Sequence, residues 1–363
     1  MRRFLYCKIK KEITMEERLD LKSLTMEEWK SVLLQWGEKS FRAEQIFSWL
    51  HGKRVKSVDE MTNISKSLRE KMRTEGSMTE LREADRLESE LDGTCKFLFE
   101  LEDSQVIESV LMKYHHGNSV CISSQVGCRM GCKFCASTLG GLVRNLKASE
   151  MLEQIYEIER ITGENVSNVV VMGTGEPMDN YENLIKFIRI LSAKEGKNIS
   201  VRNITVSTCG VVEGMLRLAE ENLPLTLALS LHAPNDEVRK QLLPVANKYK
   251  LEDVLAACDT YYEKTSRRIT YEYSMVQGVN DSVECAKELA EKLRGKNCHV
   301  NLIPVNPIKE RTFLKSRTEA IQNFKNILEK NRINVTIRRE MGSDIDAACG
   351  QLRRSYTVKK EGQ

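Results

Sequence analysis

The stretch Cys121-Ile-Ser-Ser-Gln-Val-Gly-Cys128-Arg-Met-Gly-Cys132-Lys-Phe-Cys135 decides how this 363-residue chain is interpreted. Within it, Cys128, Cys132 and Cys135 have the spacing C-x3-C-x2-C. Three thiolates on one tight loop can hold three irons of a cubane cluster, whereas an electron carrier with such a cluster takes four cysteines. The spacing therefore predicts a [4Fe-4S] cluster whose fourth iron is open to a chelating ligand.

Structural zinc is the competing interpretation of the same cysteines. Cys121 could supply a fourth thiolate, and a closed tetrahedral sulfur site would staple the loop. Unpaired core cysteines are a third alternative. Gly127 and Gly131 flank the first two predicted ligands, which suits a backbone that must wrap closely around a bulky cluster.

The composition is typical of an intracellular enzyme. With 41% hydrophobic residues, the chain can bury one large core and a smaller appended domain. Its eleven cysteines, an odd number, fit a reducing compartment better than a disulfide framework. No apolar run approaches the length of a membrane span, and Lys8, Lys10 and Lys11 stand where a signal peptide would be apolar. We therefore expect a cytoplasmic protein that makes no membrane contact.

The N-terminal quarter is predicted to be helical. Over residues 25–90, apolar side chains recur at helical spacing, as in Trp29, Val32, Leu33 and Trp36, and we find no strand-like alternation. Basic residues near aromatic ones suit RNA, although a solvated surface over an aromatic core gives the same pattern. We predict a helical RNA-recognition domain over residues 1–92.

The rest of the chain has the pattern of strands alternating with helices. Residues 95–101 and 105–114 alternate in polarity and predict a β-hairpin within a linker at residues 93–118. Short β-branched runs then alternate with amphipathic stretches, which is typical of βα units. The predicted strands are 119–123, 168–172, 203–207, 226–231, 269–275 and 299–304, with a terminal run at 335–338.

About six βα units are too few for a complete eight-stranded barrel. The predicted fold class is therefore α/β, with a partial (β/α)6 barrel over residues 119–363 and a small helical accessory domain before it.

Unusual residues follow several of the predicted strands. Barrels carry their sites at the carboxyl ends of the strands, so we expect these residues to form a ligand site. In the stretch 173–177, Gly-Thr-Gly-Glu-Pro, the glycines would let a ligand approach the backbone, and the glutamate could accept from an ammonium group. The predicted ligand-binding residues are Gly175, Glu176, Ser207, Ser230, Leu231, His232 and Asn306. His232 taken alone is more often a packing residue.

Taken together, these motifs resemble the RlmN/Cfr family of radical S-adenosylmethionine (SAM) RNA methyltransferases. The resemblance runs over nearly the whole chain and includes residues 41–47, Glu108, 121–135, 173–177, 230–232 and 344–352. It implies a radical SAM barrel with one [4Fe-4S] cluster per chain on Cys128, Cys132 and Cys135, and with SAM on the open iron. The proline after the glutamate, Pro177, resembles the motif of the RlmN branch of this family. Members of that branch methylate adenine C2 in 23S ribosomal RNA, and many also methylate C2 of the adenine beside the tRNA anticodon. The Cfr branch methylates adenine C8.

The resemblance also implies a route for the methyl group. Adenine C2 is electron-poor and has no nucleophilic lone pair for direct attack on SAM. By resemblance, Cys349 takes a methyl from one SAM. A radical from a second SAM then converts it into a methylene radical that adds to C2. Cys121 would remove the C2 proton and release Cys349 through a Cys121–Cys349 disulfide, and Glu108 is a candidate proton acceptor.

The implied partners are 23S rRNA or a ribosome assembly precursor, tRNA, and an electron donor such as flavodoxin or ferredoxin. The protein is expected to be a monomer. Since the net charge is only +4, RNA binding must rest on local patches, and we predict Arg267-Arg268, Arg338-Arg339 and Arg353-Arg354 as phosphate contacts. A Cfr-like C8 methyltransferase and, in a different class, a non-catalytic zinc-stapled RNA-binding protein remain alternatives.

Overall fold

A computed structural model describes residues 18–115, 117–306, 311–339 and 341–345. By their internal contacts, the described residues divide into two compact units. The first unit contains the residues up to Glu80 together with Arg189–Asn198, and the second unit contains the others. None of the described helices has the length and apolar character needed to cross a membrane.

The first unit is mainly helical. Its helices are α1 (Met26–Gln35), α2 (Arg42–Phe47) and α3 (Lys66–Glu75), and its short parallel strands are β1 (Leu19–Asp20) and β2 (Gly76–Ser77). Thr25 begins α1 with a capping box, in which the Glu28 N–H donates to the Thr25 hydroxyl and the Thr25 N–H donates to the Glu28 carboxylate. Trp29 and Leu33 on α1 and Phe47 on α2 are fully buried. The apolar periodicity therefore marked the face of each helix that packs into the core.

The second unit is built on a ten-stranded sheet with the order β14-β13-β12-β11-β10-β9-β6-β5-β4-β3. Strands β6 and β9 to β14 are parallel, whereas β3, β4, β5 and β6 pair antiparallel. The strands are β3 (Arg82–Glu88), β4 (Cys95–Glu100), β5 (Val106–Met112), β6 (Asn118–Cys121), β9 (Val166–Val171), β10 (Ile204–Thr208), β11 (Thr226–Ser230), β12 (Ile269–Met275), β13 (Cys298–Pro304) and β14 (Asn334–Ile337). A separate pair joins β7 (Gln125–Gly127) to β8 (Leu142–Asn145).

Helices follow the parallel strands in six βα units, which confirms the predicted partial barrel. They are α4 (Ala148–Thr162), α5 (Tyr181–Ser192), α6 (Val212–Glu220), α7 (Asp236–Leu242), α8 (Leu251–Thr265), α9 (Val283–Leu293) and α10 (Thr318–Lys330). The side chains that point from the sheet toward these helices are apolar and buried; Tyr273 of β12, for example, contacts Phe324 of α10 with ring centroids 5.0 Å apart.

The opposite face of the sheet is polar across β11 to β14. Strand register places Ser230, Glu272, Asn301 and Thr336 in one row across β11 to β14. Asn301 donates to the Glu272 carboxylate at 2.9 Å and accepts from the Thr336 hydroxyl at 3.2 Å. When helices cover both faces of a parallel sheet, the side chains on both faces are apolar. The polar side chains here therefore indicate that helices do not cover this part of the sheet.

One part of the sequence prediction was wrong. Residues 82–88 form strand β3, although the sequence was expected to remain helical up to residue 90. Strand β3 is the edge of the sheet and carries exposed charged side chains, including Arg82, Glu83 and Glu88. Charges on an edge strand prevent pairing with another chain, and they also remove the apolar alternation that identifies a strand in sequence. The predicted hairpin forms as β4 and β5 and extends the barrel sheet.

Candidate functional site

A cavity of about 190 Å³ lies beside the carboxyl ends of β9, β10 and β11. It brings together eight of the predicted site residues: Cys128, Cys132, Cys135, Gly175, Glu176, Ser207, Ser230 and His232. Met130, Phe134, Met172 and Cys209 also line it, and the sequence analysis did not assign a role to them. Phe134 lies between two predicted cluster ligands, which is the one signal that could have identified it.

The cysteine loop is closed at its base by the β7–β8 pair. The Cys128 N–H donates to the Gly141 carbonyl at 2.9 Å. Gly127 has φ +78°, and a Cβ there would lie 2.0 Å from the same carbonyl oxygen. Only glycine fits this position, because any side chain would push the two ends of the loop apart. Further along, the Thr138 hydroxyl donates toward the carbonyls of Cys132 and Cys135 at 3.1 and 3.0 Å.

Cys128 and Cys132 are poorly placed to ionise without a cation, because their pKa values are raised. Burial raises the pKa of Cys128 to about 12 and raises the pKa of Cys132 well above its usual value. The charge of Cys135 raises both pKa values further. A bound metal cluster supplies the positive charge that stabilises grouped thiolates. The three thiols therefore fit a [4Fe-4S] cluster through their shared cavity and their chemistry.

The arrangement differs from that of a single-ion site. Among the described residues, no three His, Cys, Asp or Glu side chains are grouped as ligands of one metal ion. A cubane does not need such a group, because each thiolate binds a different iron. A zinc staple needs four thiolates around one ion, but Cys121 packs among Val110 and Met112 and does not line the cavity.

Gly173 and Gly175 let two chain segments pack closely. A Cβ on Gly173 would lie 2.7 Å from the Ile122 carbonyl oxygen, and one on Gly175, whose φ is +117°, would lie 2.6 Å from the Ser124 hydroxyl. Both glycines also line the cavity. Tight packing against residues 122–125 therefore accounts for both glycines, and ligand approach to their backbone stays a prediction.

Glu176 joins the loop after β9 to the loop after β10. Its carboxylate is 3% exposed and accepts from the Cys209 N–H at 2.8 Å and from the Met178 N–H at 3.1 Å. Burial raises the pKa of this carboxyl group, and the two N–H donors oppose the rise. The carboxylate is thus fixed at the cavity wall, and its predicted contact with an ammonium group is not tested by these bonds.

His232 lines the cavity and is uncharged at neutral pH. Burial and the charge of Arg239 lower its pKa to about 3. Its Nδ1 accepts from the Ser274 N–H at 2.9 Å, so the ring proton is on Nε2. The ring meets Phe134 edge to face, with centroids 4.9 Å apart. His232 therefore packs and hydrogen-bonds as a structural residue while one side of it faces the cavity.

Two of the predicted ligand-binding residues are placed elsewhere. Leu231 is 1% exposed, and its N–H donates to the Glu272 carbonyl at 3.0 Å. Asn306 is half-buried beyond the end of β13. Neither lines this cavity. Cys349 lies outside the described residues.

Cys121 and Glu108 lie on neighbouring strands. Cys121 ends β6 and is 7% exposed; it packs with Val110 and Met112 against Met172, which lines the cavity. Glu108 on β5 is 4% exposed, and its carboxylate lies 3.5 Å from Lys96 Nζ. Because Val110 is opposite both Cys121 and Lys96, the side chains of Lys96, Glu108 and Cys121 share one side of the sheet. Lys96 is the residue that the sequence analysis missed here.

The structure shows no disulfide among the nine described cysteines. The disulfide implied by resemblance joins Cys121 to Cys349, and only Cys121 is described.

Comparisons with known proteins agree with this architecture. Residues 122–305 match the profile of the radical SAM superfamily, and residues 19–77 match the ribosomal RNA large subunit methyltransferase N-terminal domain. A crystal structure of a radical SAM methyltransferase from Sphaerobacter thermophilus superimposes with a TM-score of 0.85 at 43% identity, covering 92% of this chain and 98% of that one. The fold and the cysteine-lined cavity thus define a radical SAM protein, a class whose cofactors are a [4Fe-4S] cluster and SAM.

The names of two relatives identify the family within the radical SAM class. A protein of Lachnoclostridium phytofermentans named "Probable dual-specificity RNA methyltransferase RlmN" is 67% identical over 343 residues, which are 94% of this chain and 96% of the relative. A protein of the same name from Lachnospira eligens is 60% identical over 337 residues, covering 93% and 96%. The chain belongs to the RlmN family of radical SAM RNA methyltransferases.

Proposed function

We propose that the protein methylates C2 of one adenine at the peptidyl transferase centre of 23S rRNA, and C2 of the adenine beside the anticodon in some tRNAs. The observation that carries the proposal is the shared cavity of Cys128, Cys132 and Cys135 at the carboxyl ends of the barrel strands. The relatives' name, a dual-specificity RNA methyltransferase, supports two classes of RNA substrate. Pro177 after Glu176 supports C2 over C8.

The cavity residues would hold the cofactors. Cys128, Cys132 and Cys135 would bind one [4Fe-4S] cluster, which when bound supplies the electron for reductive cleavage of SAM. The predicted SAM contacts are Gly175, Glu176, Ser207, Ser230, Leu231, His232 and Asn306. Of these, Ser207 and Ser230 already lie together, with their hydroxyl oxygens 3.3 Å apart. Two hydroxyls on adjacent strands can bind neighbouring oxygens of a ribose or a carboxylate.

Two cysteines and a glutamate would carry the methyl group and the proton. Cys349 as a thiolate would take the methyl group of one SAM and present it to the RNA base, and a second SAM would be consumed in each turnover. One electron of the radical adduct would return to the bound cluster, and Cys121 would take the C2 proton. The Cys121 thiolate would then attack the Cys349 sulfur, so that the S–S bond forms as the bond from that sulfur to the methyl carbon breaks and the carbon takes up a proton. Glu108, on the strand beside Cys121, would accept the proton in turn. The disulfide must then be reduced from outside, and we propose flavodoxin or ferredoxin as the electron donor to the cluster.

The first unit would bind RNA. Its positive charges include Lys53, whose Nζ lies 3.3 Å from the centroid of the Trp49 ring, and Arg54. Burial and the charge of Arg54 lower the pKa of Lys197 to about 8. Like charges this close create a positive potential that attracts phosphate. We define the basic patch as Lys53, Arg54, Lys56 and Lys197, all in the first unit. We propose that the RNA-recognition domain predicted over residues 1–92 binds RNA through this patch, together with the segment that carries Lys197.

The barrel arginines predicted as phosphate contacts are not equivalent. Arg267 donates to the carbonyls of Leu225 and Arg202, each at 3.4 Å, and to the Thr226 hydroxyl at 3.2 Å. Its guanidinium therefore holds chain segments of the barrel together. Arg353 and Arg354 lie outside the described residues. We further propose that the protein acts as a monomer in the cytoplasm.

Nucleoside mass spectrometry of RNA from cells with and without the gene tests the proposed function. With chromatographic standards, the expected result is loss of 2-methyladenosine from both 23S rRNA and tRNA. Loss of 8-methyladenosine would instead support the Cfr-like alternative. Unchanged nucleosides, together with a colourless protein that contains zinc, would support the non-catalytic alternative.

A further inference from the structure

Arg239, on α7 beside the candidate cluster site, is a fully buried cation. Its Nη2 donates to the Cys209 carbonyl at 2.7 Å, and its Nη1 donates to the Tyr249 carbonyl at 3.3 Å. Its Nε is buried and has no hydrogen-bond partner among the described residues. Within the same part of the chain, no Asp or Glu side chain forms an ion pair with it. The guanidinium is therefore held by neutral carbonyl groups, and no paired carboxylate compensates its charge.

A buried charge of this kind needs a physical reason. Taking a cation out of water is costly unless an opposite charge replaces the water. A neutral amide side chain could donate to the same carbonyl groups without that cost. A guanidinium is favoured at this position if the group that binds in the adjacent cavity is an anion.

Arg239 lies directly behind the wall of that cavity. Cys209, whose carbonyl it binds, lines the cavity that the three cluster cysteines share. The Leu243 N–H donates to the Arg239 carbonyl at 2.8 Å, and Leu243 lines the cavity as well. At the end of α7, the Leu242 carbonyl accepts from the Lys133 N–H at 2.9 Å. The helix that carries Arg239 thus contacts both the cysteine loop and the loop after β10.

The charge of Arg239 acts on groups in the cavity wall. Burial and the charge of Arg239 lower the pKa of His232. Burial lowers the pKa of Arg239 itself, whereas negative charge on Cys209, Asp236 and Cys132 raises it. Charges interact strongly through the interior of a protein because its effective dielectric is low. Thiolates at the cluster position therefore stabilise this cation and are stabilised by it.

We propose that Arg239 is the counter-cation of the cluster bound by Cys128, Cys132 and Cys135, and that its charge raises the reduction potential of this cluster. The inference rests on the proposed cluster, because the charge acts on that group. A [4Fe-4S] core with three thiolate ligands is an anion, and one electron from a donor such as flavodoxin or ferredoxin makes it more negative. A fixed positive charge stabilises the reduced form, and a buried charge is little screened by salt. Arg239 would thus favour the electron transfer that precedes cleavage of SAM.

The test measures the midpoint potential of the cluster in the full-length protein, reconstituted anaerobically and without SAM. Titanous citrate reduces the cluster stepwise in the presence of redox dyes, and electron paramagnetic resonance quantifies the reduced form. Arg239→Met should lower the ratio of reduced to oxidised cluster at a fixed potential roughly tenfold, since a unit charge about 10 Å away has an effect of this order at an effective dielectric of about 20. Tenfold in a one-electron step is a shift of about 59 mV toward more negative potential.

Further variants separate the charge of Arg239 from its hydrogen bonds. Arg239→Gln keeps a hydrogen-bond donor without the charge and should shift the potential as Arg239→Met does. Arg239→Lys keeps the charge and should retain most of the wild-type potential. The control is Arg217→Met, which removes an exposed arginine of α6 that pairs with Glu182. Because water and salt screen that charge, the midpoint potential should not change.

A second pair of variants neutralises the cation without replacing Arg239. A Cβ placed on Gly210 would lie 2.8 Å from Arg239 Nη2 and 3.0 Å from Val254 Cγ1, so Val254 of α8 is a close neighbour of the guanidinium. Val254→Asp places a carboxylate beside the cation and should lower the midpoint potential. Val254→Asn has nearly the same shape and no charge, and it should leave the potential unchanged.

The possible failures can be told apart. Cluster-loaded Arg239→Met and Val254→Asp proteins with the wild-type midpoint potential would overturn the role of the charge and leave the proposed cluster in place. Loss of iron from all three Arg239 variants, Arg239→Lys included, with an unchanged potential in Val254→Asp, would show that Arg239 serves only to hold the chain segments. A wild-type protein that cannot be loaded with a [4Fe-4S] cluster would instead overturn the proposed cluster itself.

Discussion

The ion pair between Lys96 and Glu108 gives a prediction with a definite magnitude. Lys96 is fully buried and Glu108 is 4% exposed, and Lys96 Nζ lies 3.5 Å from Glu108 Oε2. Replacing Lys96 with Met leaves a carboxylate in the core without this ammonium group. Removing one partner of a buried pair costs about 3–5 kcal/mol of unfolding free energy. The separation is longer than that of a strong charge-assisted hydrogen bond, so we expect a loss of about 3 kcal/mol.

Urea unfolding and thermal melting measure this loss. At about 2–4 °C per kcal/mol, Lys96→Met should lower the melting temperature by roughly 6–12 °C. The double variant Lys96→Met/Glu108→Gln should be more stable than the sum of the single variants predicts, by about 1–3 kcal/mol, because it removes both charges of the buried pair together. As a control, Lys113→Met breaks the exposed pair with Glu164 and should leave the melting temperature nearly unchanged. A Lys96→Met protein with wild-type stability, or strictly additive effects in the double variant, would refute the reasoning.

Three further predictions concern the cluster, the cysteines and the RNA. Replacing Cys128, or either other cysteine of its loop, with Ala should abolish bound iron, while Cys121→Ala should keep its iron; equal loss in both would indicate a four-thiolate site. Cys121→Ala should accumulate a protein–RNA adduct visible on a denaturing gel, and Cys349→Ala should form none. Lys197 has a pKa lowered to about 8, so it is charged below that pH and its phosphate contact is lost as pH rises. Lys197→Ala should therefore weaken RNA binding at about pH 7 and have little effect at about pH 9. The control is Lys66→Ala; an equal loss of RNA affinity in this variant would show that RNA binding does not depend on the basic patch in particular.

The sequence predicted the central parallel strands, such as β11 and β12, because they are buried. Residues 269–275 were expected to be a strand and form β12, since β-branched and aromatic side chains pack against the helices there. Strand β3 was missed because its side chains are charged and exposed at the edge of the sheet, so that no apolar pattern records it. Burial alone did not decide which strands could be predicted, since β7 is buried and was not predicted, whereas β14 is largely exposed and was.

The sequence predicted the cysteines that would bind the cluster, but it did not predict the residues that surround Cys121. Spacing alone grouped Cys128, Cys132 and Cys135, which share the cavity. The juxtaposition of Lys96, Glu108 and Cys121 depends on strand register, which spacing along the chain does not encode. Hydrogen bonds also join residues 89–92 to residues 342–344, at least 250 positions apart, and neither segment carries a local motif that predicts the pairing.

A first-turnover labelling experiment tests most directly whether Cys349 carries the methyl group. The protein is first given SAM with a deuterated methyl group, is freed of small molecules, and is then mixed with RNA, reductant and unlabelled SAM. The account predicts that each labelled Cys349 gives one adenine whose C2 methyl group carries two deuteriums, the third having left with 5′-deoxyadenosine. Product adenines that are wholly unlabelled, while deuterium stays on Cys349, would contradict it.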